Sequence, residues 1–284
     1  MRVAHLIMAH KNPEQLIRLI KKLEHSEADF FIHLDKKVEC RNFKKILSIP
    51  RVIFIKNRNA INWGGNSTVM AILGSVKEIL ESEQNYDFIN LLSGQDYPLR
   101  STQEIHDYLE KNKGTNFISY DEGSEWWQGA KNRYRKYHFT DFNFKGKFFA
   151  ERLVNFFTTS RTFPLKTRLY GGAKGTWWTI TPDCASYLCN VVANDAKLNS
   201  FLKFCWGSDE FLVSTLIMNS EFKNCTVNNN LRYIFFPKNA ARPKDLTIQD
   251  FNALISSNML FSRKFEAEQG SEILDKIDSH INNN

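Results

Sequence analysis

The chain has 284 residues, of which 42% are hydrophobic and 13% aromatic, enough for one large α/β domain or two small ones. No apolar run approaches the ~18–20 residues that span a bilayer, and Met1-Arg2 leads directly into a short apolar stretch with no cleavable leader, so a cytoplasmic protein is expected. A formal charge of +7 favours an anionic partner such as a nucleotide, a nucleic acid or an acidic membrane face, although the basic residues are spread along the whole sequence and a solvated surface accounts for them equally well.

The first ~120 residues alternate strand-like and helix-like patterns, which predicts a mostly parallel sheet with crossover helices. Residues 3–8 read as a strand. Asn12-Pro13 then supplies an N-cap and a first-turn proline for a helix with Leu16, Ile17, Ile20 and Leu23 on its apolar face. Further strands are expected at 30–34, 52–55 and 88–92, with a helix opened by Ser67 between the last two. Ser101-x-x-Glu104 is a capping box, and 116–120 closes this half. His10, Asp35 and Asp96 each follow a predicted strand, at the edge where open α/β sheets bind ligands.

From 121 to 170 the pattern changes. Trp126, Trp127, Arg133, Tyr134, Arg135, Tyr137, His138 and Phe139 interleave rings with positive charge, which fits a nucleic-acid surface or a loop over an active site. Regular elements return with a strand at 177–180, a helix from Pro182, a helix capped by Ser208, a strand at 232–236 and a helix opened by Thr247-x-x-Asp250. The five cysteines are odd in number and lack zinc-like spacing, so reduced thiols are expected.

Gly207-Ser208-Asp209-Glu210-Phe211 places two acids on the first turn of an apolar helix, beside Trp206. Such a carboxylate can take a proton from a substrate hydroxyl, and it can equally be a capping acid that suits the helix dipole. A carboxylate near its ordinary pKa of about 4.3 is ionised at neutral pH. The phosphate-loop, G-x-G-x-x-G and G-x-S-x-G signatures are all absent, which removes support from kinases, ordinary dehydrogenases and the usual hydrolases. D-x-D is absent too, so a departing diphosphate would have to be met by cationic side chains such as Arg242, Lys244 and Arg263-Lys264.

Several blocks in order carry a resemblance: Leu6-Ile7-Met8-Ala9-His10-Lys11-Asn12-Pro13, Phe31-Ile32-His33-Leu34-Asp35, Asn62-Trp63-Gly64-Gly65-Asn66-Ser67, Ser93-Gly94-Gln95-Asp96-Tyr97-Pro98-Leu99, Gly175-Thr176-Trp177-Trp178, Gly207-Ser208-Asp209-Glu210, and Arg242 through Asp250 to Lys264. The chain resembles the core-2/I-branching β-1,6-N-acetylglucosaminyltransferase family, which also contains the peptide O-xylosyltransferases. The resemblance implies an α/β, GT-A-like nucleotide-binding fold with a mostly parallel central sheet flanked by helices. Residues 1–284 would form a single glycosyltransferase domain, with 1–120 as the nucleotide-binding half and 121–284 as the acceptor-binding and catalytic half.

By the same resemblance, Glu210 is the catalytic base. His10, Asp35, Trp63, Arg242, Lys244 and Lys264 bind a UDP-sugar donor, Arg242 and Lys244 being alternatives for one diphosphate contact. Apart from the resemblance, Trp177 and Trp178 are candidates to offer ring faces to the acceptor, unless alternation puts one of them in the core, and Asp209 either orients the acceptor or caps the helix. No cofactor or divalent metal is expected. The donor sugar is expected to be N-acetylglucosamine, with xylose as the alternative, and the acceptor a glycan or glycolipid at the inner membrane face, reached by peripheral contact, with no nucleic acid. A catalytically silent saccharide-binding protein is the competing reading.

Overall fold

The strands of the first half are apolar without alternation because both faces of their sheet are covered. In the computed structural model, which describes residues 1–122, 125–238 and 240–283, β1 (Val3–Ala9) and β2 (Ala28–Leu34) are buried along their whole length. Between them runs α1 (Pro13–Lys22), and after them come β3 (Val52–Phe54) and α2 (Ser67–Leu80). β4 (Phe88–Ser93), β5 (Asp96–Pro98), α3 (Thr102–Lys111) and β6 (Asn116–Ile118) complete the first half. α4 (Glu125–Arg135) and α5 (Lys147–Phe157) occupy the basic-aromatic stretch. The rest contains β7 (Thr179–Ile180), α6 (Pro182–Asn194), α7 (Ala196–Leu202), α8 (Leu212–Met218), β8 (Thr226–Asn228), β9 (Arg232–Ile234), α9 (Phe251–Ile255), β10 (Phe261–Arg263) and α10 (Glu272–Asn283).

Seven strands form one sheet in the order β3-β2-β1-β4-β7-β6-β8. All its pairings are parallel except those of β7, which runs antiparallel to β4 and β6. This is the expected α/β architecture, with a mostly parallel sheet flanked by helices. Leu6, Phe31, Ile89 and Leu91 face a core layer with α2, α6 and α8, whereas Ile7, Phe30, Ile32 and Leu92 face the layer of α1, α9 and α10. A second sheet, β5-β10-β9, packs beside the first. Arg232 joins the two from a buried position, donating to Thr179 Oγ1 (2.8 Å) and to the carbonyls of Leu91 (2.9 Å) and Trp178 (3.0 Å). Among the described residues no helix is long and apolar enough to cross a membrane.

Local signals fare unevenly. The Ser101/Glu104 capping box, the helix from Pro182 and the Thr247/Asp250 start form as expected, and Thr181 caps the second of these. Asn12 does not cap α1 with its side chain: it adopts a left-handed backbone (φ 52°), and its amide donates to Glu266 instead. Ser208 does not cap a long helix either. Residues Ser208–Glu210 make a 3-10 turn, α8 starts at Leu212, and the Ser208 hydroxyl reaches Asn66 Oδ1 at 3.2 Å. The two acids therefore sit on a separate tight turn. Asp96 is buried within β5, paired with Arg263 at 2.8 Å and accepting from the Ser93 amide, so it supports the sheet edge from below.

Candidate active site

The ends of β1 and β2 open into a cleft of about 660 Å³, within the range that holds a nucleotide-sized ligand. His10 and Asp35 line it from the first sheet, Trp63 and Gly64 from the loop before α2, and Asp209 and Glu210 from the acid turn. Trp177, Arg242, Arg263 and Lys264 complete the wall. Residues more than 200 positions apart thus converge on one space.

Asp35 is half committed to structure: its Oδ1 accepts from the Lys37 amide at 2.9 Å, and its Oδ2 faces the Ile61 amide at 3.4 Å. Burial, reinforced by the Lys11 charge, lowers the His10 pKa below its ordinary value, which favours a neutral imidazole. The Arg242 guanidinium lies over the Trp63 ring at 5.0 Å, and Trp63 meets Trp206 edge to face at 5.2 Å. Lys264 points into the cleft while paired with Asp245 at 2.9 Å.

Two expected site residues lie elsewhere. Lys244 pairs with Asp250 at 2.7 Å, outside the cleft, because Asp250 caps the turn that begins α9 and collects this lysine. Arg242 is the member of that pair whose side chain reaches the site. Trp178 is 1% exposed and packs in the α2/α6/α8 core, whereas Trp177 faces the cleft with Arg263 over its ring at 4.3 Å. The strand expected at 177–180 is confined to Thr179–Ile180, and of the two rings just before it only Trp177 is offered to a ligand.

The acid turn is held from several sides. Thr176 Oγ1 donates to Asp209 Oδ2 at 2.7 Å, and the Gly207 amide donates to the Gly64 carbonyl at 2.7 Å. Arg133 forms an ion pair with Glu210, its guanidinium lying 5.1 Å from the Trp126 ring and 4.5 Å from the Trp206 ring. Burial, then the neighbouring Asp209, pushes Glu210 up to about 7, against the pull of Arg133. The ordinary carboxylate value assumed from sequence is therefore corrected: at neutral pH this carboxyl is part protonated, in the range useful to a general base.

Arg133 and Trp206 were not singled out as site residues by sequence reasoning, whereas Arg263 was among the late cations it named for a diphosphate. Arg133 was one of several cations in the basic-aromatic stretch, and only the packing of α4 against the acid turn distinguishes it. Most of the surrounding rings are committed to one another: Tyr134 and Trp127 pack on Phe211, and Phe139 on Phe204.

The sequence profile of the Core-2/I-Branching enzyme family matches residues 3–259. The chain belongs to that family. Among curated relatives, xylosyltransferase 2 of Rattus norvegicus is 27% identical over 99% of this chain and 34% of its own length. The β-glucuronosyltransferase GlcAT14B of Arabidopsis thaliana is 26% identical over 99% of this chain and 66% of its own. The chain spans about a third of the length of the xylosyltransferases it matches. Mouse xyloside xylosyltransferase 1 superposes only loosely, with a TM-score of 0.41 at 11% identity over 92% of this chain and 97% of that one. The acid turn Gly207-Ser208-Asp209-Glu210 contributes its two carboxyls to the same cleft as Arg242 and Lys264.

Proposed function

We propose that this chain is an inverting glycosyltransferase that moves a sugar from a UDP-sugar to a hydroxyl of a glycan acceptor without a divalent metal. The observation that carries this reading is the shared cleft, in which Glu210 stands with two cationic side chains, Arg242 and Lys264, and with His10 and Asp35 at the strand ends. Family membership and the transferase names of the relatives support it.

In this reading Glu210 accepts the proton of the acceptor hydroxyl as its oxygen bonds to the anomeric carbon. The carbon–oxygen bond to UDP breaks on the opposite face, and Arg242 and Lys264 take up the charge that develops on the diphosphate. Asp35 and His10 hold the nucleoside, Trp63 flanks it, and Trp177 and Asp209 meet the acceptor. Arg133 holds the Glu210 carboxyl in place.

The family resemblance makes N-acetylglucosamine the first reading of the donor sugar, and the xylosyltransferases among the relatives favour xylose as a second. A thermal-shift panel of UDP-N-acetylglucosamine, UDP-xylose and UDP-glucuronate separates them, since the bound donor stabilises the native state by mass action. Glu210→Gln is expected to abolish transfer while UDP still raises Tm, and wild-type turnover is expected to persist in excess EDTA. An active Glu210→Gln enzyme, or one inactive without added metal, would overturn the corresponding part of the mechanism.

A further inference from the structure

α5 is built inside out. A surface helix ordinarily buries its apolar stripe and shows its polar face to water. Here the polar side chains at 147, 151 and 155, one helical face, attach the helix to the protein. Lys147 Nζ donates to the carbonyls of Thr140 (3.1 Å) and Phe142 (3.0 Å). Glu151 accepts from the Phe139 amide (2.7 Å), and Asn155 exchanges two hydrogen bonds with the Tyr137 backbone. The remaining surface of the helix presents Phe148 (65% exposed), Phe149, Leu153, Phe156 (81%) and Phe157 to solvent, and the helix has no buried residue.

The charge around this face is equally biased. Residues 131–168 contain ten Lys and Arg against two Asp and Glu, a net +8 in a chain whose total is +7; three of the ten, Arg133, Lys147 and Arg161, are turned to internal partners. Both acids of the segment are turned to internal partners: Glu151 as above, and Asp141 toward the Ser67 amide (2.8 Å) and hydroxyl (2.6 Å). Lys145 and Arg152 remain exposed on and beside the apolar strip, and Arg135 and Lys136 lie next to its end, where Arg161 bonds to their carbonyls.

We propose that α5 docks this protein onto an anionic bilayer, its phenylalanines entering the boundary between headgroups and acyl chains and the surrounding cations meeting lipid phosphates. A continuous ring-and-leucine strip with a basic rim is the composition of an in-plane interfacial helix. Each cation near an anionic surface strengthens binding about fivefold. The segment that carries α5 is pinned at Asp141 to Ser67 and Asn62, next to Trp63 on the cleft wall, so docking brings the cleft to the membrane surface. The inference stands on the surface alone and does not depend on which sugar, if any, is transferred.

The test is cosedimentation of the full chain with vesicles of phosphatidylglycerol and phosphatidylcholine, compared with phosphatidylcholine alone. The wild type is expected to pellet with the anionic vesicles and to be partly released by salt. The variant Phe148→Ser/Phe149→Ser/Phe156→Ser/Phe157→Ser is expected to bind at least about 100-fold more weakly, with an unchanged circular dichroism spectrum and Tm. If that variant fails to fold, Phe156→Ser/Phe157→Ser, which alters only the two most exposed rings, serves the same purpose. Lys145→Glu/Arg152→Glu is expected to lose the preference for anionic vesicles. A wild type that ignores both vesicles, serine variants that bind as the wild type does, or a wild-type dimer that the serine variants abolish would each overturn the proposal, the last in favour of a second copy of this chain.

Discussion

The guanidinium of Arg133 donates to Glu210 Oε2 from between the rings of Trp126 and Trp206. The two residues lie 77 positions apart, on α4 and on the acid turn, and the backbone links them too, since the Trp206 amide donates to the Arg133 carbonyl at 2.9 Å. Stacked on two indoles, the cation loses little freedom when it pairs and keeps its charge beside a carboxyl that burial would otherwise neutralise.

The pH dependence of transfer follows from this pair. Glu210 is pushed up to about 7, so its basic form is scarce below that pH and dominant above it. The rate of transfer should therefore rise through about pH 7 to a plateau. Arg133→Met removes the opposing charge and should move this rise upward by about one unit or more, while Arg133→Lys should restore part of it. Initial rates across pH on the three proteins check this; an unmoved profile would mean that Arg133 merely packs.

The cations of the cleft separate by position. Lys264→Ala or Arg242→Ala should lower kcat/KM by about 100-fold, as losing one preorganised charged contact costs about 3 kcal/mol in a transition state. Lys244→Ala should leave turnover within about threefold of wild type, because its partner is Asp250 outside the cleft. Steady-state kinetics with the preferred UDP-sugar decides between them.

The adjacent tryptophans should behave oppositely. Trp178→Ala opens a cavity in a packed core and should cost about 3–5 kcal/mol of stability. Trp177→Ala should change stability far less and raise the KM for acceptor. Urea denaturation paired with acceptor titration reads both effects.

Gly64→Ala should disable the site from outside the chemistry. Gly64 has φ of +74°, and a Cβ there would lie 2.3 Å from Trp206 Nε1. The backbone strain and the displaced indole together should cost about 2–4 kcal/mol. Because Trp206 stacks on Arg133, the lost ordering should also lower kcat, which a comparison of Tm and turnover for the variant would show.

Much of the fold and part of the site were legible along the chain. Unbroken apolar strands, the Ser101 capping box and the proline helix starts are local signals, governed by neighbours within a few positions, and they specified the α/β order and the edge on which His10 and Asp35 stand. Glu210, Arg242 and Lys264 could be named as candidates from their motifs. Which of Arg242 and Lys244 enters the cleft, and which of Trp177 and Trp178 is buried, depended on contacts with Asp250 and with the α2/α6/α8 core, and no local pattern encodes those. The Arg133 sandwich and the raised Glu210 carboxyl belong entirely to tertiary structure. Desolvation and charge pairing depend on distances between segments far apart in sequence, and only the folded chain brings those segments together.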